Sequence, residues 1–424
     1  MALVALMVAG FARPYRAAVT TVTLAVPGRT NANVSVSADG PFVVATWSAS
    51  LPGGSTDIYA AVSRDTGATF SAPVRVNSTP GDARVNGEQP PRVVLIPGAG
   101  SPPAVVVVWT SKSAVGTTIL SARSNDGVRT FGTSTIVPNG EAPGMRGWES
   151  VTVDARGAVR VLWLDHREMA KPAEGGRLPM NHSQAGHDSS ADEKRDGAAM
   201  AQQSKLYIAT VGDPASARSL LGGVCFCCKT AIVTAPNQAI YTAWRHVYPG
   251  NVRDMAFTVS RDGGRTFAAP TRISEDNWRI DGCPEDGPAI AADARNQIHV
   301  AWPTLVGDGP GGASSIGLFY ARSLDGRTFS SRLRIPTEGL PHHPQIQVVG
   351  GDLVFAWDEL KDGARRAVIA RRPLEGGAQA NFVRQVVSND GPGVYPALAV
   401  SGQRAIVAWS STGPQSAIRL AALQ

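Results

Sequence analysis

The sequence predicts an all-β protein, a seven-bladed β-propeller with four-stranded blades. Three observations favour this fold: a repeated apolar run, turn residues throughout the chain, and a spare strand near the N-terminus that can close a ring. The 424 residues include 45 glycines and 30 prolines. Turn signals recur about every ten residues between β-rich runs, which is typical of strands rather than helices. A six-bladed ring with an extra hairpin is the alternative.

Seven short apolar runs each end in a tryptophan, and they account for seven of the nine tryptophans in the chain. These are Trp47, Trp109, Trp163, Trp244, Trp302, Trp357 and Trp409. Successive members are 62, 54, 81, 58, 55 and 52 residues apart. Within one repeat we expect four strands, such as residues 288–293, the run ending at Trp302, residues 318–323, and a closing strand equivalent to 270–274. A repeat of about 50 residues with four strands is typical of a propeller blade.

The two ends of the chain predict how the ring closes. After Trp409 the seventh repeat has room for one more strand, at residues 417–422, so its fourth strand is missing. Residues 19–26 form a β-rich run that belongs to no repeat. We expect this run to complete the seventh blade, which would remove the open sheet edges that promote aggregation. The prediction is therefore a single domain over residues 19–424.

Four repeats carry a second motif in the turn between their third and fourth strands, with a serine, an aspartate, glycine and a Thr-Phe pair. The aspartates are Asp65, Asp126, Asp262 and Asp325. A carboxylate can cap such a turn, and glycine supplies a positive φ. The motif resembles the Asp-box (BNR) repeat of the sialidase-like β-propellers, and this resemblance covers nearly the whole chain. It implies that the four turns are structural and lie away from the active face.

Composition and segment patterns set limits on partners and location. The formal net charge of +6 is spread over the chain without a basic block, so we do not expect a nucleic-acid partner. No apolar stretch is long enough to span a bilayer, and we expect a monomer. Residues 1–18 look like a truncated signal segment, which predicts a secreted or periplasmic protein. A polar insertion at about 166–205 is expected to be a solvated loop or a lid over the central face.

The four cysteines lie in two loops that enter adjacent predicted blades: Cys225, Cys227 and Cys228 in one, and Cys283 in the next. Two disulfides are one interpretation, since an exported protein meets an oxidising compartment. A thiolate metal site completed by His342 or His343 is the second, and soft sulfur ligands favour copper(I) or zinc; inert thiols are the third. In the first two cases Cys283 should lie within reach of another cysteine.

The loops that enter the blades share one face with the loops between second and third strands, so this loop-rich face gathers polar side chains. We predict ligand binding by Arg146, Arg245, Arg253 and Asp254. Arginine suits carboxylate recognition because its planar fork donates two parallel hydrogen bonds. The sequence thus predicts an exported propeller that binds a soft metal such as copper, a glycan or a partner on this face.

The resemblance to sialidases implies an alternative function, the exo-glycosidase hydrolysis of terminal sialic acid or a related acidic sugar. In that family a tyrosine nucleophile works with a glutamate, and Tyr395 and Glu149 are the residues here that could take those roles. The chain departs from the family in its seventh blade. It also lacks the Phe/Tyr-Arg-Ile-Pro motif that carries one arginine of the carboxylate-binding triad.

Overall fold

A computed structural model of the protein describes residues 20–98, 102–114, 116–169, 197–280, 284, 286–306, 315–375, 380–413 and 415–424. These residues form seven antiparallel sheets of four strands each. The innermost strands of neighbouring sheets contact one another around a closed circle. The protein is therefore a seven-bladed β-propeller, and the six-bladed alternative is wrong.

The strands follow one another in blade order along the chain. Strand β1 is Thr21–Leu24. Blade 1 contains β2 (Thr30–Asp39), β3 (Phe42–Ser50), β4 (Thr56–Ser63) and β5 (Val74–Arg75). Blade 2 contains β6 (Arg92–Ile96), β7 (Ala104–Ser113), β8 (Gly116–Ser124) and β9 (Thr135–Ile136). Blade 3 contains β10 (Arg146–Val153), β11 (Val159–Asp165), β12 (Lys205–Thr210) and β13 (Asp213–Gly222), with helix α1 (Gly197–Gln203) before β12.

The remaining blades repeat this order. Blade 4 contains β14 (Ala231–Thr234), β15 (Ile240–Arg245), β16 (Met255–Ser260) and β17 (Thr271–Arg272). Blade 5 contains β18 (Ala289–Ala292), β19 (Ile298–Val306), β20 (Ser315–Ser323) and β21 (Leu333–Ile335). Blade 6 contains β22 (Leu340–Val349), β23 (Asp352–Lys361), β24 (Ala364–Pro373) and β25 (Val383–Val386). Blade 7 contains β26 (Gly393–Ser401), β27 (Arg404–Ser411) and β28 (Ala417–Leu423), and its fourth strand is β1.

Each of the seven repeat tryptophans lies on the second strand of its blade and is at most 1% exposed. Several indole N–H groups donate to a polar residue nearby, as in Trp163 to Asp165 at 3.0 Å and Trp357 to Glu359 at 3.0 Å. The N–H of a buried indole usually finds a hydrogen-bond partner, and Trp109 Nε1 is an exception in the described part of the chain. Two acidic residues of the loop-rich face thus hold tryptophans in place.

The hydrophobic core lies between the blades. Seven clusters of buried apolar side chains each join residues of two neighbouring blades. The cluster between blades 7 and 1, for example, joins Trp47 to Ile406 and Ile418. Apolar surface leaves water only when both neighbours are present, so every blade depends on the two beside it.

The ring closes as the orphan run predicted. Strand β1 pairs antiparallel with β28, from Thr21 opposite Ala421 to Leu24 opposite Ile418. The described strand is shorter than the predicted run of residues 19–26, and β28 extends to Leu423. Both ends of the described chain therefore lie in one blade.

The four aspartate turns share one hydrogen-bond pattern. In the first, Thr69 donates through its backbone N–H and its hydroxyl to the Asp65 carboxylate, at 2.9 and 2.6 Å, and Ser63 Oγ donates at 2.7 Å. The same serine and threonine bonds recur at Asp126, Asp262 and Asp325. These bonds lower the pKa of Asp65 to about 2. Membership of the Asp-box family stays a prediction.

Two segments with sequence predictions lie outside the described residues: residues 1–19, with the predicted signal segment, and 170–196, with most of the polar insertion. Strand β11 ends at Asp165 and β12 begins at Lys205, so the insertion leaves the propeller within blade 3. Export and a lid therefore stay predictions. Of the helices that the structure describes, none is long and apolar enough to cross a membrane.

Candidate functional site

One position recurs at the channel mouth in every blade. The blades can be aligned by strand pairing. The reference is the innermost-strand residue that pairs with the residue two places before the repeat tryptophan, as Ile346 pairs with Phe355 and Leu398 pairs with Val407. Counting back three residues gives the same position in all seven blades. The seven residues at this position are Asn33, Pro90, Trp148, Lys229, Gly287, His343 and Tyr395.

Four of these residues sit at β-bulges with a positive φ. The φ angles are 60° at Asn33, 53° at Trp148, 54° at His343 and 51° at Tyr395. In each case the pairing of the innermost strand skips a residue at that point. A bulge re-aims the side chain it carries, and left-handed backbone in a residue other than glycine is costly. The fold thus places strained backbone at one end of its channel.

A cavity of about 90 Å³ lies at this mouth. Its ionisable and aromatic lining consists of Arg92, Lys229, His343 and Tyr395, from blades 2, 4, 6 and 7. Side chains far apart in the sequence therefore converge on one small space.

Lys229 is 6% exposed. Its Nζ donates to the carbonyl of Pro344 at 2.7 Å. This hydrogen bond joins blade 4 to blade 6, so the lysine side chain extends past blade 5. Blade 5 has Gly287 at the equivalent position, where a Cβ would collide with the backbone of Lys229. Within the described ranges Lys229 forms no salt bridge, and burial lowers its pKa to about 8, although the charges of Glu88, Asp286 and Asp358 act in the opposite direction. A buried ammonium with a lowered pKa and no directly bonded carboxylate is typical of functional sites.

Arg92 is the second cation of the cavity. Its Nε donates to the backbone carbonyl of Glu149 at 2.7 Å. Its two Nη atoms have no hydrogen-bond partner among the residues the structure describes. Burial lowers the pKa of the guanidinium, which nevertheless stays charged. Arg92 and Lys229 therefore leave several N–H donors for a ligand in the cavity.

His343 lies between two carboxylates. Its Nε2 is 2.5 Å from Glu88 Oε1, and its Nδ1 is 2.5 Å from Asp358 Oδ1. Burial alone would lower the pKa of His343, but the charge of Glu88 and the hydrogen bonds to both carboxylates raise it to about 10. The imidazole is thus protonated and has no lone pair for a metal. The neighbouring His342 is hydrogen-bonded to Asp286 at 2.6 Å.

Tyr395, the predicted nucleophile, forms one wall of the cavity. Its ring centroid is 4.3 Å from that of His343, and its backbone N–H donates to Asp358 at 3.3 Å. The ring lies against Gly87, where a Cβ would overlap three ring carbons. The structure therefore places Tyr395 at the cavity, and its chemical role stays a prediction.

Glu149, the predicted acid partner, lies away from the lining of the cavity. It is fully buried and accepts a hydrogen bond from Thr110 Oγ1 at 3.2 Å. Its Oε1 has no partner in the described part of the chain. Burial raises the pKa of this carboxyl, which favours the neutral acid. Glu149 therefore sits beneath Arg92 rather than beside Tyr395.

The predicted ligand-binding residues are buried among backbone groups. Arg146 donates to the carbonyls of residues 117, 140 and 142, and it pairs with Asp165. Arg245 donates to the carbonyls of residues 253, 286 and 303. Asp254 accepts from the backbone N–H groups of residues 277 and 278. These contacts hold loops together, and none of the three lines the cavity.

The first cysteine loop forms a compact sulfur cluster. Cys225 Sγ is 3.1 Å from Cys228 Sγ and 3.7 Å from Cys227 Sγ. Cys225 and Cys228 are free thiols and are 1% and 2% exposed. Cys283 lies outside the described residues, so its predicted approach to this loop stays a prediction.

Arginine side chains set the charge of this cluster. Arg253, which is fully buried, donates from Nη1 to Cys225 Sγ at 3.4 Å. Burial alone would raise the pKa of Cys225. The hydrogen bond from Cys228 and the charges of Arg253 and Arg245 instead lower it to about 6. Cys225 is therefore a thiolate at neutral pH, while burial and that thiolate keep Cys228 protonated.

Arg92 and Lys229 are the cavity residues that sequence reasoning missed. Lys229 directly follows the cysteine loop, and the sequence pattern there indicates sulfur chemistry rather than a lysine site. Arg92 begins a buried apolar strand, where an arginine is unusual. The signal that could have found Lys229 is its alignment with His343 and Tyr395 once the tryptophans are superimposed, whereas Arg92 lies two residues after Pro90, the aligned residue of blade 2.

Fold and site together define the class: a seven-bladed β-propeller with a polar, cation-bearing cavity at one end of its channel. No protein-family model matches the chain, and no curated protein matches it. Several solved structures do. An ulvan lyase of polysaccharide lyase family 25, bound to -[GlcA(1-4)Rha3S]-, is 9% identical over 95% of this chain and 96% of its own, with a TM-score of 0.55.

Two further structures are similar to the same extent. The GH93 α-L-arabinofuranosidase of Fusarium graminearum, in complex with arabinobiose, is 13% identical over 95% of this chain and 97% of its own, with a TM-score of 0.53. A protein of unknown function from Dyadobacter fermentans is 13% identical over 95% and 98%, with a TM-score of 0.52. At such low identity these likenesses show a shared fold.

Proposed function

We propose that the protein is a glycan-binding propeller whose channel-mouth cavity takes the carboxylate of an acidic sugar. The observation that carries this proposal is Lys229, a buried ammonium with one backbone partner, beside the Arg92 guanidinium. A buried cation is costly unless it is directly paired and hydrogen-bonded. A bound carboxylate would contact Lys229 directly, whereas Glu88, Asp286 and Asp358 act on it without a salt bridge, and it would accept hydrogen bonds from both groups.

The size of the cavity supports recognition of one chemical group. About 90 Å³ is well below the 300–1,000 Å³ of typical small-molecule pockets. A carboxylate can enter, whereas a whole sugar ring must remain at the mouth. There the rings of His343 and Tyr395 offer a surface for the apolar face of the sugar.

Proteins of the same fold support a saccharide ligand by analogy. The ulvan lyase is bound to a saccharide that contains glucuronate, and the arabinofuranosidase is in complex with arabinobiose. A propeller hosts many functions, so the analogy adds only to what the cavity itself favours. In this proposal Arg92 and Lys229 take the role that the sequence assigned to Arg146, Arg245 and Arg253.

Calorimetric titration tests the proposal with a glucuronate-containing disaccharide and its carboxyl-reduced analogue. We expect the acidic sugar to bind and the reduced one not to bind. Lys229→Met should weaken binding by about 10- to 150-fold, because a hydrogen bond to a charged group contributes about 1.5–3 kcal/mol. Lys112→Met, at an exposed lysine of β7, is the matched control. Equal binding of both sugars, or an unchanged affinity in Lys229→Met, would contradict the proposal.

Cleavage of the bound sugar is the second candidate, and the position of Tyr395 at the cavity favours it. Fluorogenic sialoside and glucuronide substrates test it, together with Tyr395→Phe. We expect binding without turnover, since Glu149 does not line the cavity. Turnover that Tyr395→Phe abolishes would establish the exo-glycosidase alternative instead.

A further inference from the structure

The sulfur cluster lies outside the lining of the proposed sugar site, although Cys228 directly precedes Lys229 in the chain. Cys225, Cys227 and Cys228 do not line the cavity. Their Sγ atoms all lie within 4.8 Å of one another, a spacing at which a single metal ion can contact more than one of them. A role for this cluster is independent of the proposed function.

The surroundings of the cluster favour sulfur in its anionic form. Arg253 donates from Nη1 to Cys225 Sγ at 3.4 Å, while its Nη2 is buried with no partner in the ranges the structure describes. Cys228 Sγ donates to Cys225 Sγ at 3.1 Å. Both contacts stabilise negative charge on Cys225 Sγ, which is the form of sulfur that binds a metal.

Charge balance selects the ion. Two thiolates carry a charge of −2, so a monovalent cation leaves −1, which the adjacent Arg253 offsets. A divalent ion would form a neutral complex and leave Arg253 without a counter-charge. Zinc in structural sites also requires four ligands, whereas Cys227 is disulfide-bonded and the described cluster offers the two free thiols of Cys225 and Cys228. Soft thiolate ligands bind Cu(I) well.

We propose that Cys225 and Cys228 bind one Cu(I) ion as a bis-thiolate site stabilised by Arg253. On binding, two Cu–S bonds form, the S–H bond of Cys228 breaks, and its proton leaves to solvent. No electron is transferred, because copper enters and stays as Cu(I). His342 and His343 are not ligands of this site, since they lie in a separate group with Asp286, and both ring nitrogens of His343 are bonded to carboxylates.

Copper competition tests the site. The reduced full-length protein is titrated under nitrogen against a chromophoric Cu(I) chelator. Wild type should remove one equivalent of copper, whereas Cys225→Ser and Cys228→Ser should remove none. Cys227→Ser is the matched control in the same loop and should behave like wild type. Thermal melting of each variant verifies that it is folded.

Each contrary result is informative. A full equivalent retained by Cys225→Ser or Cys228→Ser, or none bound by wild type, would overturn the assignment, as would loss of copper in a folded Cys227→Ser. X-ray absorption of copper-loaded wild type needs no variant, and it should show sulfur neighbours only. Nitrogen neighbours from histidine would refute the two-cysteine site.

Discussion

The imidazole of His343 and the phenol ring of Tyr395 lie with their centroids 4.3 Å apart, across the boundary between blades 6 and 7. The two residues occupy the same position in successive blades, and both have a left-handed backbone. Asp358 binds them both, through His343 Nδ1 and the backbone N–H of Tyr395. The pair therefore forms one wall of the cavity, and Asp358 holds its two members together.

Gly87→Ala should displace Tyr395, because a Cβ at this position would overlap the ring. Overpacking of this kind costs about 1–3 kcal/mol, measurable by chemical denaturation. Binding of the acidic sugar should weaken as the wall moves. Gly351→Ala is the matched control, since nothing lies within 4 Å of its added Cβ. If Gly87→Ala lowers the free energy of unfolding equally in a Tyr395→Ala background, the clash is not with the Tyr395 ring.

His343→Gln should destabilise the protein by about 3–5 kcal/mol near neutral pH, since it leaves Glu88 without its cation and leaves Asp358 with Arg365 as its remaining ion-pair partner. The pKa of His343 is raised from 6.5 to about 10 in the folded protein. Its stabilisation is therefore fully present below pH 6.5 and is lost as the pH rises towards 10. The gap in unfolding free energy between wild type and variant should narrow over that range.

His246→Gln is the control for this pH dependence. Burial lowers the pKa of His246 to about 4, so this residue is neutral between pH 6.5 and 10. The difference in unfolding free energy between His246→Gln and wild type should therefore stay constant from pH 6.5 to pH 10. If the difference in unfolding free energy between His343→Gln and wild type also stays constant, His343 is neutral in the native protein.

Asp65→Ala should lower the melting temperature and leave sugar binding unchanged. Bonds from Thr69 and Ser63 lower the pKa of Asp65 from 3.8 to about 2. The stabilisation it provides is present above pH 3.8 and is lost as the pH falls through about 2. Scanning calorimetry from pH 5 to pH 2 should therefore show the melting temperatures of wild type and variant converging as the pH falls. Loss of binding without loss of stability would mean that this turn belongs to the functional face.

Deletion of residues up to 26 should open blade 7 and lower the melting temperature, since β28 loses its pairing partner. An exposed edge strand also promotes association between chains. Melting followed by light scattering should show earlier unfolding and aggregation. Identical melting of the shortened and full chains would contradict the closure by β1.

Much of the fold could be predicted because the repeats fix local structure. Each repeat tryptophan is buried on a second strand, and the spare run pairs where the missing strand left a gap. The exact strand limits could not be predicted, because they depend on pairing partners. Strand β1 stops at Leu24 although its β-rich run continues.

The site was harder to predict because it depends on register. His343 and Tyr395 were found from their loops, but Lys229 joins them only through strand alignment between blades, and Arg92 lies two residues beyond the aligned Pro90. The arginines show the opposite difficulty. Arg146 and Arg245 have the residue type for carboxylate binding, yet backbone carbonyls, which no residue pattern reveals, occupy their donors.

The closure of the ring also sets the order in which the protein can be completed during synthesis. Arg419 bonds to Thr23, 396 residues earlier in the chain. At roughly 5–20 residues per second, β1 leaves the ribosome about 20–80 s before its partner strand exists. Blades 1 to 6 can assemble in that interval, while β1 must wait unpaired. A chaperone that covers β1 would therefore act on the nascent chain while this strand is still unpaired.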